Sequence, residues 1–260
     1  MRYALPALPR RRLLLPVLAL GGLLLAGCAT APPKAPAQIH FELGLEFGKQ
    51  DNIEKEIAEY REAIRLNPDF AEAYYELGIA LFCEAAFKNK KTEEEAIAAF
   101  RKAIELRPGW WEAHLYNGWA FDRQGKLDEA IAEYREVIRL KPVEAIAYLN
   151  LGRDLEKQGK TDEAINAYRK YTEFKPDLLN AQLTLGRALE KVGKAEEAIA
   201  AYREAVRLDP KYYFALEDMA KILDKKGKRQ EAREYWKRAL KSTKDPAWVE
   251  RIKKRLAEPD

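Results

Sequence analysis

Apolar residues recur at helical spacing along most of the chain, in segments separated by short polar turns. Tyr148, Leu151 and Leu155, for example, follow one another at intervals of three and four, which is typical of a helix with one buried face. A second kind of segment begins with acidic residues, which suit a helix N-terminus, and ends before a proline, which cannot continue a helix. The pattern predicts an all-α chain built from pairs of helices.

These pairs repeat with a period of 34 residues. Gly125-Lys-Leu-Asp-Glu-Ala-Ile131 recurs at 159–165 and 193–199 and, with substitutions, at 227–233. A fixed period of this size indicates stacked supersecondary units rather than one globular core. Trp248, Ile252 and Leu256 then follow at four-residue spacing, which predicts a C-terminal capping helix within 247–260. The six predicted units are 37–70, 71–110, 111–144, 145–178, 179–212 and 213–246.

Small residues and aromatics occupy constant places inside the units. A glycine inside a helix costs about 1 kcal/mol relative to alanine, so its recurrence in the first helices implies a gain from packing. We expect the second helix to approach the first closely there, with alanines such as Ala130 and Ala164 supplying a matching small surface. We also expect the aromatics to fill the space between neighbouring units. The glycines are Gly44, Gly78, Gly118, Gly152 and Gly186; the aromatics are Tyr60, Phe100, Tyr134, Tyr168, Tyr202 and Trp236.

Four units depart from this pattern. Unit six has Ala220 where the others have glycine, and it lacks a proline at the expected place. Unit one has Glu56 where a small alanine belongs, and unit four has Tyr171 at a later alanine position, so we expect disturbed packing at both. Unit two carries six extra residues within 82–91, next to Cys83. We expect this insertion to lengthen the turn between its two helices.

The constant residues resemble the tetratricopeptide repeat family. The best-matched unit carries Leu185, Gly186, Leu189, Ala198, Tyr202, Ala205 and Pro210. The resemblance covers residues 37–246 and implies a right-handed superhelical α-solenoid whose first helices line a concave groove. In this family the groove binds segments of other proteins, so the expected partner is a protein or peptide. The Lys and Asn positions with which some members hold a peptide C-terminal carboxylate are not reproduced here.

The same resemblance assigns groove-lining places to particular residues. The expected partner-binding residues are Phe41, Leu45, Tyr75, Ile79, Phe82, Leu115, Trp119, Arg153, Arg187 and Lys221. Apolar side chains dominate the first half of this series and basic ones the second. An exposed apolar patch of this kind marks a binding site.

Two alternatives stay open for these residues. In the first, the three basic residues only stabilise their own helices by pairing with acids three residues later, at Glu156, Glu190 and Asp224. In the second, the apolar patch is covered by a Pro-rich N-terminal segment or packed inside the first units.

The N-terminus resembles a bacterial lipoprotein signal. A positively charged start precedes an apolar run over 13–25, and Leu25-Ala-Gly-Cys28 resembles a lipobox. The resemblance implies that residues 1–27 are a signal peptide, that Cys28 is acylated, and that 28–36 form a Pro/Ala-rich tether. In enteric-type lipoproteins, an Asp directly after the cysteine signals retention in the inner membrane. Ala29 stands at this position here, so the resemblance implies sorting to the periplasmic face of the outer membrane. The alternatives are an uncleaved membrane anchor and a twin-arginine signal.

Charge and composition narrow the function classes further. The formal charge of +4 comes from 46 basic and 42 acidic residues, and four of the arginines lie within 1–27. Removal of that segment balances the charge, so nucleic-acid binding loses its main support. Residues 221–260 stay basic, with 14 Lys and Arg against seven acids. A basic end of this kind suits an acidic partner, anionic lipid or simple solvation.

Catalytic and metal-binding patterns are missing from the sequence. Ser242 is the single serine, Cys83 is the only thiol besides Cys28, and His40 and His114 stand where neighbouring units have tyrosines that pack. Acidic pairs at helix starts suit the helix dipole. We therefore expect a scaffold that is not an enzyme and needs no cofactor or metal. The more specific alternatives are an assembly factor for a pilus, secretion or outer-membrane machine, a cell-wall hydrolase or its activator acting through a Glu pair, and self-association.

Overall fold

The computed structural model describes residues 34–85 and 90–258, which contain thirteen helices and no strands. The predicted signal peptide, Cys28 and most of the predicted tether lie outside these residues. The helices are α1 (Pro36–Lys49), α2 (Ile53–Leu66), α3 (Ala71–Ala85), α4 (Lys90–Leu106), α5 (Trp111–Arg123), α6 (Leu127–Leu140), α7 (Ala145–Lys157), α8 (Thr161–Phe174), α9 (Leu179–Lys191), α10 (Ala195–Leu208), α11 (Tyr213–Lys225), α12 (Arg229–Ser242) and α13 (Pro246–Ala257). None of the described helices combines the length and apolarity that crossing a bilayer requires.

The helices pack as six pairs followed by α13. Each helix contacts mainly the helices before and after it in the chain, which is the packing of an α-solenoid. This architecture confirms the predicted fold class. Helix α13 packs on α12 and buries Ile252 completely, as expected for a helix that covers the last apolar face.

The repeated Gly-Lys pair marks the end of the first helix in units three to six. Gly125, Gly159, Gly193 and Gly227 have φ angles between 73° and 77°, a left-handed conformation that glycine adopts without steric cost. The next residue then donates its N–H back to the helix, as Lys126 does to the Phe121 carbonyl at 2.9 Å. This hydrogen-bond pattern is a Schellman motif and stops the helix at a fixed point.

The glycines inside the first helices accommodate an aromatic ring from the second helix. A Cβ added at Gly152 would lie 2.5 Å from a ring carbon of Tyr168, and the four equivalent glycines meet their own unit's ring at 2.5 or 2.6 Å. The expected close approach exists, but the ring makes it rather than the alanine surface. Phe100 also stacks on Tyr116 of the next unit, with ring centroids 5.8 Å apart, so an aromatic can serve both contacts.

The predicted disturbances are absorbed inside regular helices. Glu56 is 6% exposed and accepts a hydrogen bond from the Tyr60 hydroxyl at 3.3 Å, while Tyr171 is equally buried within α8. In unit two, α3 and α4 have 15 and 17 residues, whereas α5 and α6 have 13 and 14. The insertion therefore lengthens mainly the helices, which corrects the expectation of a longer turn; residues 86–89 between them lie outside the described part.

Candidate functional site

Ion pairs join the first helices of successive units into one surface, which we call the groove face. Lys191 Nζ lies 3.0 Å from Glu156, Lys225 Nζ lies 2.5 Å from Glu190, and Arg255 Nε lies 3.0 Å from Asp224. Lys157 makes the equivalent pair with Asp122. Each cation thus reaches back one unit to a carboxylate near the end of the preceding first helix. Helices α5, α7, α9, α11 and α13 therefore lie side by side along this face.

The carboxylates of these pairs also bind the buried aromatic of their own unit. Tyr168 donates its hydroxyl to Glu156 at 3.0 Å, Tyr202 donates to Glu190 at 2.9 Å, and Trp236 Nε1 donates to Asp224 at 2.8 Å. Each carboxylate therefore joins the two helices of its own unit and also links that unit to the next one. These acids hold the stack together.

The basic groove residues do not make the pairs considered from sequence. Arg187 contacts Asp218 of the next first helix, with Nε 2.7 Å from Oδ2. Lys221 pairs with Glu217 at 2.8 Å. The side chain of Arg153 is exposed. It forms no ion pair or hydrogen bond with any residue in 34–85 or 90–258. The idea of pairing with acids three residues later is therefore wrong, because those acids serve the unit-to-unit contacts.

The first helices of units one to three, α1, α3 and α5, carry an apolar surface, which we define as Phe41, Leu45, Tyr75, Ile79 and Trp119. Helix α3 contacts α5 and so joins this surface to the groove face. All five side chains are partly exposed. The two other apolar residues expected in the groove are nearly buried, Phe82 at 2% exposed and Leu115 at 5%. Both therefore belong to the packing, and we leave them out of the candidate surface.

Neighbouring rings hold the aromatic members of this surface in place. The Tyr75 ring centroid lies 4.4 Å from that of Trp110 and 5.9 Å from that of Tyr116, and Trp119 meets Tyr116 edge-on at 4.9 Å. Burial among the rings raises the pKa of Tyr75 far above its ordinary value and that of Tyr116 to about 12. Both phenols therefore stay neutral at physiological pH.

Between the first helices α3 and α5, Phe82 and Arg123 stand in place of the carboxylate–cation pair that joins the later first helices. The guanidinium of Arg123 lies 3.9 Å from the ring centroid of Phe82 and donates two hydrogen bonds of 3.1 Å to its carbonyl. Arg123 also pairs with Glu93. The spacing of apolar residues does not predict this role of Phe82, although Arg123 stands one period before the pairing Lys157.

A buried polar cluster lies between units three and four. Asp154 is 1% exposed at a place where Ala188 and Ile222 stand in later units, and Lys157 Nζ lies 2.8 Å from it. Burial raises the pKa of Asp154 to about 6. The ammonium group of Lys157 opposes this increase, and the nearby carboxylate of Asp122 adds to it. Within the described part of the chain, the Tyr134 hydroxyl at this junction has no hydrogen-bond partner.

The two histidines form hydrogen bonds between the helices of their units, beyond simple packing. His40 Nδ1 and His114 Nδ1 each lie 2.6 Å from a glutamate of the second helix, and His114 Nε2 lies 3.1 Å from the Pro108 carbonyl. Burial disfavours the charged form of His114, but Glu133 and the Pro108 carbonyl outweigh it and raise its pKa. No group of three or more His, Cys, Asp or Glu side chains among the described residues could hold a metal.

The basic C-terminal end of the groove face contains an open pocket of about 320 Å³. Its lining residues are Lys221, Asp224, Lys225, Trp236, Arg251 and Arg255. Arg251 pairs with Glu217 and lies 3.9 Å from the ring centroid of Trp248. Helix α13 thereby extends the groove face as well as covering the last unit.

Family models of tetratricopeptide repeats match residues 44–82, 94–145 and 149–213, which together make up more than half of the chain. The chain therefore belongs to the tetratricopeptide repeat family, whose members are generally scaffolds for protein interaction. No curated protein sequence matches it significantly.

Solved structures with the same fold include three tetratricopeptide repeat proteins. A crystal structure of MamA is 25% identical, with a TM-score of 0.62, over 67% of this chain and 92% of MamA. YrrB, described as a TPR protein with an unusual peptide-binding site, is 21% identical, with a TM-score of 0.63, over 75% of this chain and 97% of YrrB. PilF of Pseudomonas aeruginosa is 17% identical, with a TM-score of 0.62, over 84% of this chain and 97% of PilF.

Proposed function

We propose that this protein is a non-enzymatic scaffold that binds a segment of a partner protein along its groove face. The observation that carries the proposal is the partly exposed apolar surface, centred on Tyr75, Ile79 and Trp119. Large aromatic side chains of this kind dominate the binding energy of many protein interfaces. YrrB, which shares the fold, is described as a peptide-binding protein, and this supports the same class of function.

The packing around the apolar surface favours tight binding. Tyr75 already lies against Trp110 and Tyr116, and Trp119 already lies against Tyr116. These side chains lose little conformational freedom when a partner covers them, and such preorganisation reduces the entropic cost of association. An apolar side chain of the partner would therefore meet a surface that is already formed.

The test compares aromatic residues on two faces of the same helices. Trp119→Ala and Tyr75→Ala should each weaken binding of the partner about tenfold or more, because central aromatic anchors are worth about 2 kcal/mol or more. Trp111→Ala and Tyr74→Ala are the matched controls. Trp111 lies on the same helix as Trp119, but its ring centroid lies 3.6 Å from Nζ of Lys141, the residue directly after α6. The partner is first captured from envelope extracts, identified by crosslinking and mass spectrometry, and then measured as a purified protein.

Two results decide this test. Loss of affinity in the groove variants, with the controls near wild type and all four variants folded by circular dichroism, supports the proposal. Undiminished binding by both groove variants would sink it.

We further propose that the protein is a lipoprotein of a bacterial cell envelope, attached through Cys28 on the periplasmic side of the outer membrane. The lipobox-like Leu25-Ala-Gly-Cys28 and the Pro/Ala-rich segment that follows support this proposal. Palmitate labelling and detergent partitioning test it directly in a bacterial host. The wild type should carry the label and partition with the membrane, and Cys28→Ser should do neither. A Cys28→Ser protein that is still labelled would refute acylation at this residue.

A further inference from the structure

In the second half of the groove face, the cation of each ion pair lies closer to solvent than its carboxylate partner. In the pair of Arg187 with Asp218, the arginine side chain is 54% exposed and the aspartate 14%; Lys221 is 47% exposed over a Glu217 that is 3% exposed. The same order holds where Lys225 covers Glu190. A ligand approaching this face meets ammonium and guanidinium groups first, although the mature chain has no net charge.

Arg153 and Arg187 have hydrogen-bonding capacity left for a ligand. Arg153 is exposed and lacks an ionic partner within the described residues. Arg187 uses Nε and one Nη nitrogen on Asp218, and no described residue forms a hydrogen bond or ion pair with its other Nη nitrogen. A guanidinium presents its donors in a planar fork that matches a carboxylate. Carboxylates of a ligand can therefore bind here without breaking the contacts between units.

This basic surface continues directly from the apolar one. Trp119 and Arg153 hold the same place in neighbouring first helices, α5 and α7, and Arg187 holds it in α9. The pocket at the C-terminal end extends the series with Lys225, Arg251 and Arg255. One extended segment can thus contact aromatic side chains over units two and three and cations over units four to six.

We propose that the segment bound by the groove face is acidic at one end and apolar at the other, with its carboxylates over Arg153 and Arg187. The inference rests on the proposed function and adds the chemistry of the partner. Charge complementarity selects an acidic peptide, and the adjoining apolar surface favours a peptide over anionic lipid. In such interfaces, charges at the rim contribute mainly to specificity and to the rate of association.

A random dodecapeptide library, selected on the full chain purified in detergent, tests this chemistry. The enriched peptides should contain aromatic or branched apolar residues together with an excess of Asp and Glu of about twofold or more over the starting library. The best peptide is then made with Glu or with Gln at its acidic positions. The Glu form should bind about tenfold more tightly at low salt, and the difference should shrink as salt screens the charges.

Arg153→Gln/Arg187→Gln should abolish the difference between the two peptides. Arg153→Gln alone breaks no ion pair in the described structure, so it separates binding from stability. The control is Arg135→Gln/Arg169→Gln, because these arginines pair with Glu163 and Glu197 on the second helices, away from the groove face. The control should retain the preference for the Glu peptide.

Each outcome bears on the inference separately from the proposed function. Apolar peptides that depend on Trp119 but show no acidic excess would overturn the acidic partner and leave groove binding in place. A library without any enrichment would overturn both. Binding to phosphatidylglycerol vesicles that requires Arg153 and Arg187, without acidic peptides, would assign this surface to lipid and overturn the inference.

Discussion

Replacement of Asp154 by asparagine should stabilise the protein at neutral pH, because this carboxylate is buried at the junction of units three and four. Its pKa is raised from the ordinary value of 3.8 to about 6 in the folded protein. A raised folded-state pKa means that the folded protein holds the proton more tightly than the unfolded chain. Stability is therefore lost as the pH rises from 3.8 to 6 and stays low above that window.

The pKa shift sets the size of this effect. One unit of pKa corresponds to about 1.4 kcal/mol, so the ionised Asp154 costs on the order of 2 to 3 kcal/mol at pH 7. Lys157 already offsets part of the desolvation penalty, at 2.8 Å from the carboxylate. Asparagine keeps the shape and can still accept a hydrogen bond from that lysine. The unfolding free energy of Asp154→Asn at pH 7 should therefore exceed that of the wild type by up to this amount.

Urea unfolding followed by circular dichroism, in half-unit steps from pH 4 to pH 7, measures the difference between the two proteins. The gap should open with rising pH and level off above pH 6. Asp162→Asn is the control, since Asp162 is 87% exposed, and its curve should run parallel to the wild type. A pH-independent gap, or an Asp154→Asn protein less stable than wild type at pH 7, would refute the reasoning.

Three further predictions concern the packing and the histidine. Gly152→Ala should lose about 2 kcal/mol of unfolding free energy, because the new methyl group would overlap a buried ring, whereas Gly109→Ala, whose Cβ would have no described atom within 4 Å, should change little. His114→Gln should lose stability below pH 6.5 and approach wild type as the pH rises through the raised pKa of His114, which an NMR titration of the ring locates. Arg123→Ala should lower the melting temperature by several degrees, because it removes the stack on Phe82 and two hydrogen bonds to its carbonyl.

The period of the sequence predicted the fold closely because each place in a repeat has a fixed structural task. Unit 145–178, for instance, contains α7 and α8 with their ends set by Gly159 and by the segment before Pro176. The glycines inside the first helices also signalled close packing. The sequence could not show that a ring rather than an alanine fills that space, since both residue types recur in phase.

The groove face was harder to predict, because its places lie at the boundary between solvent and the neighbouring helix. Phe82 and Leu115 occupy such places and turn inward, while Tyr75 and Trp119 keep part of their rings exposed. A small rotation of a helix decides between these outcomes, and spacing alone does not fix it. The pairs between successive first helices had a signal that was overlooked: residues 35 apart, such as Glu156 and Lys191, carry opposite charges.

The most direct test of groove binding is site-specific photocrosslinking in cells that make the full chain. A benzophenone amino acid is placed at Trp119 on the groove face or at Trp111 on the same helix beside Lys141. Groove binding predicts a discrete crosslinked partner from position 119 that is absent or much weaker from position 111. Equal crosslinking from both positions, or a partner captured only from position 111, would contradict it.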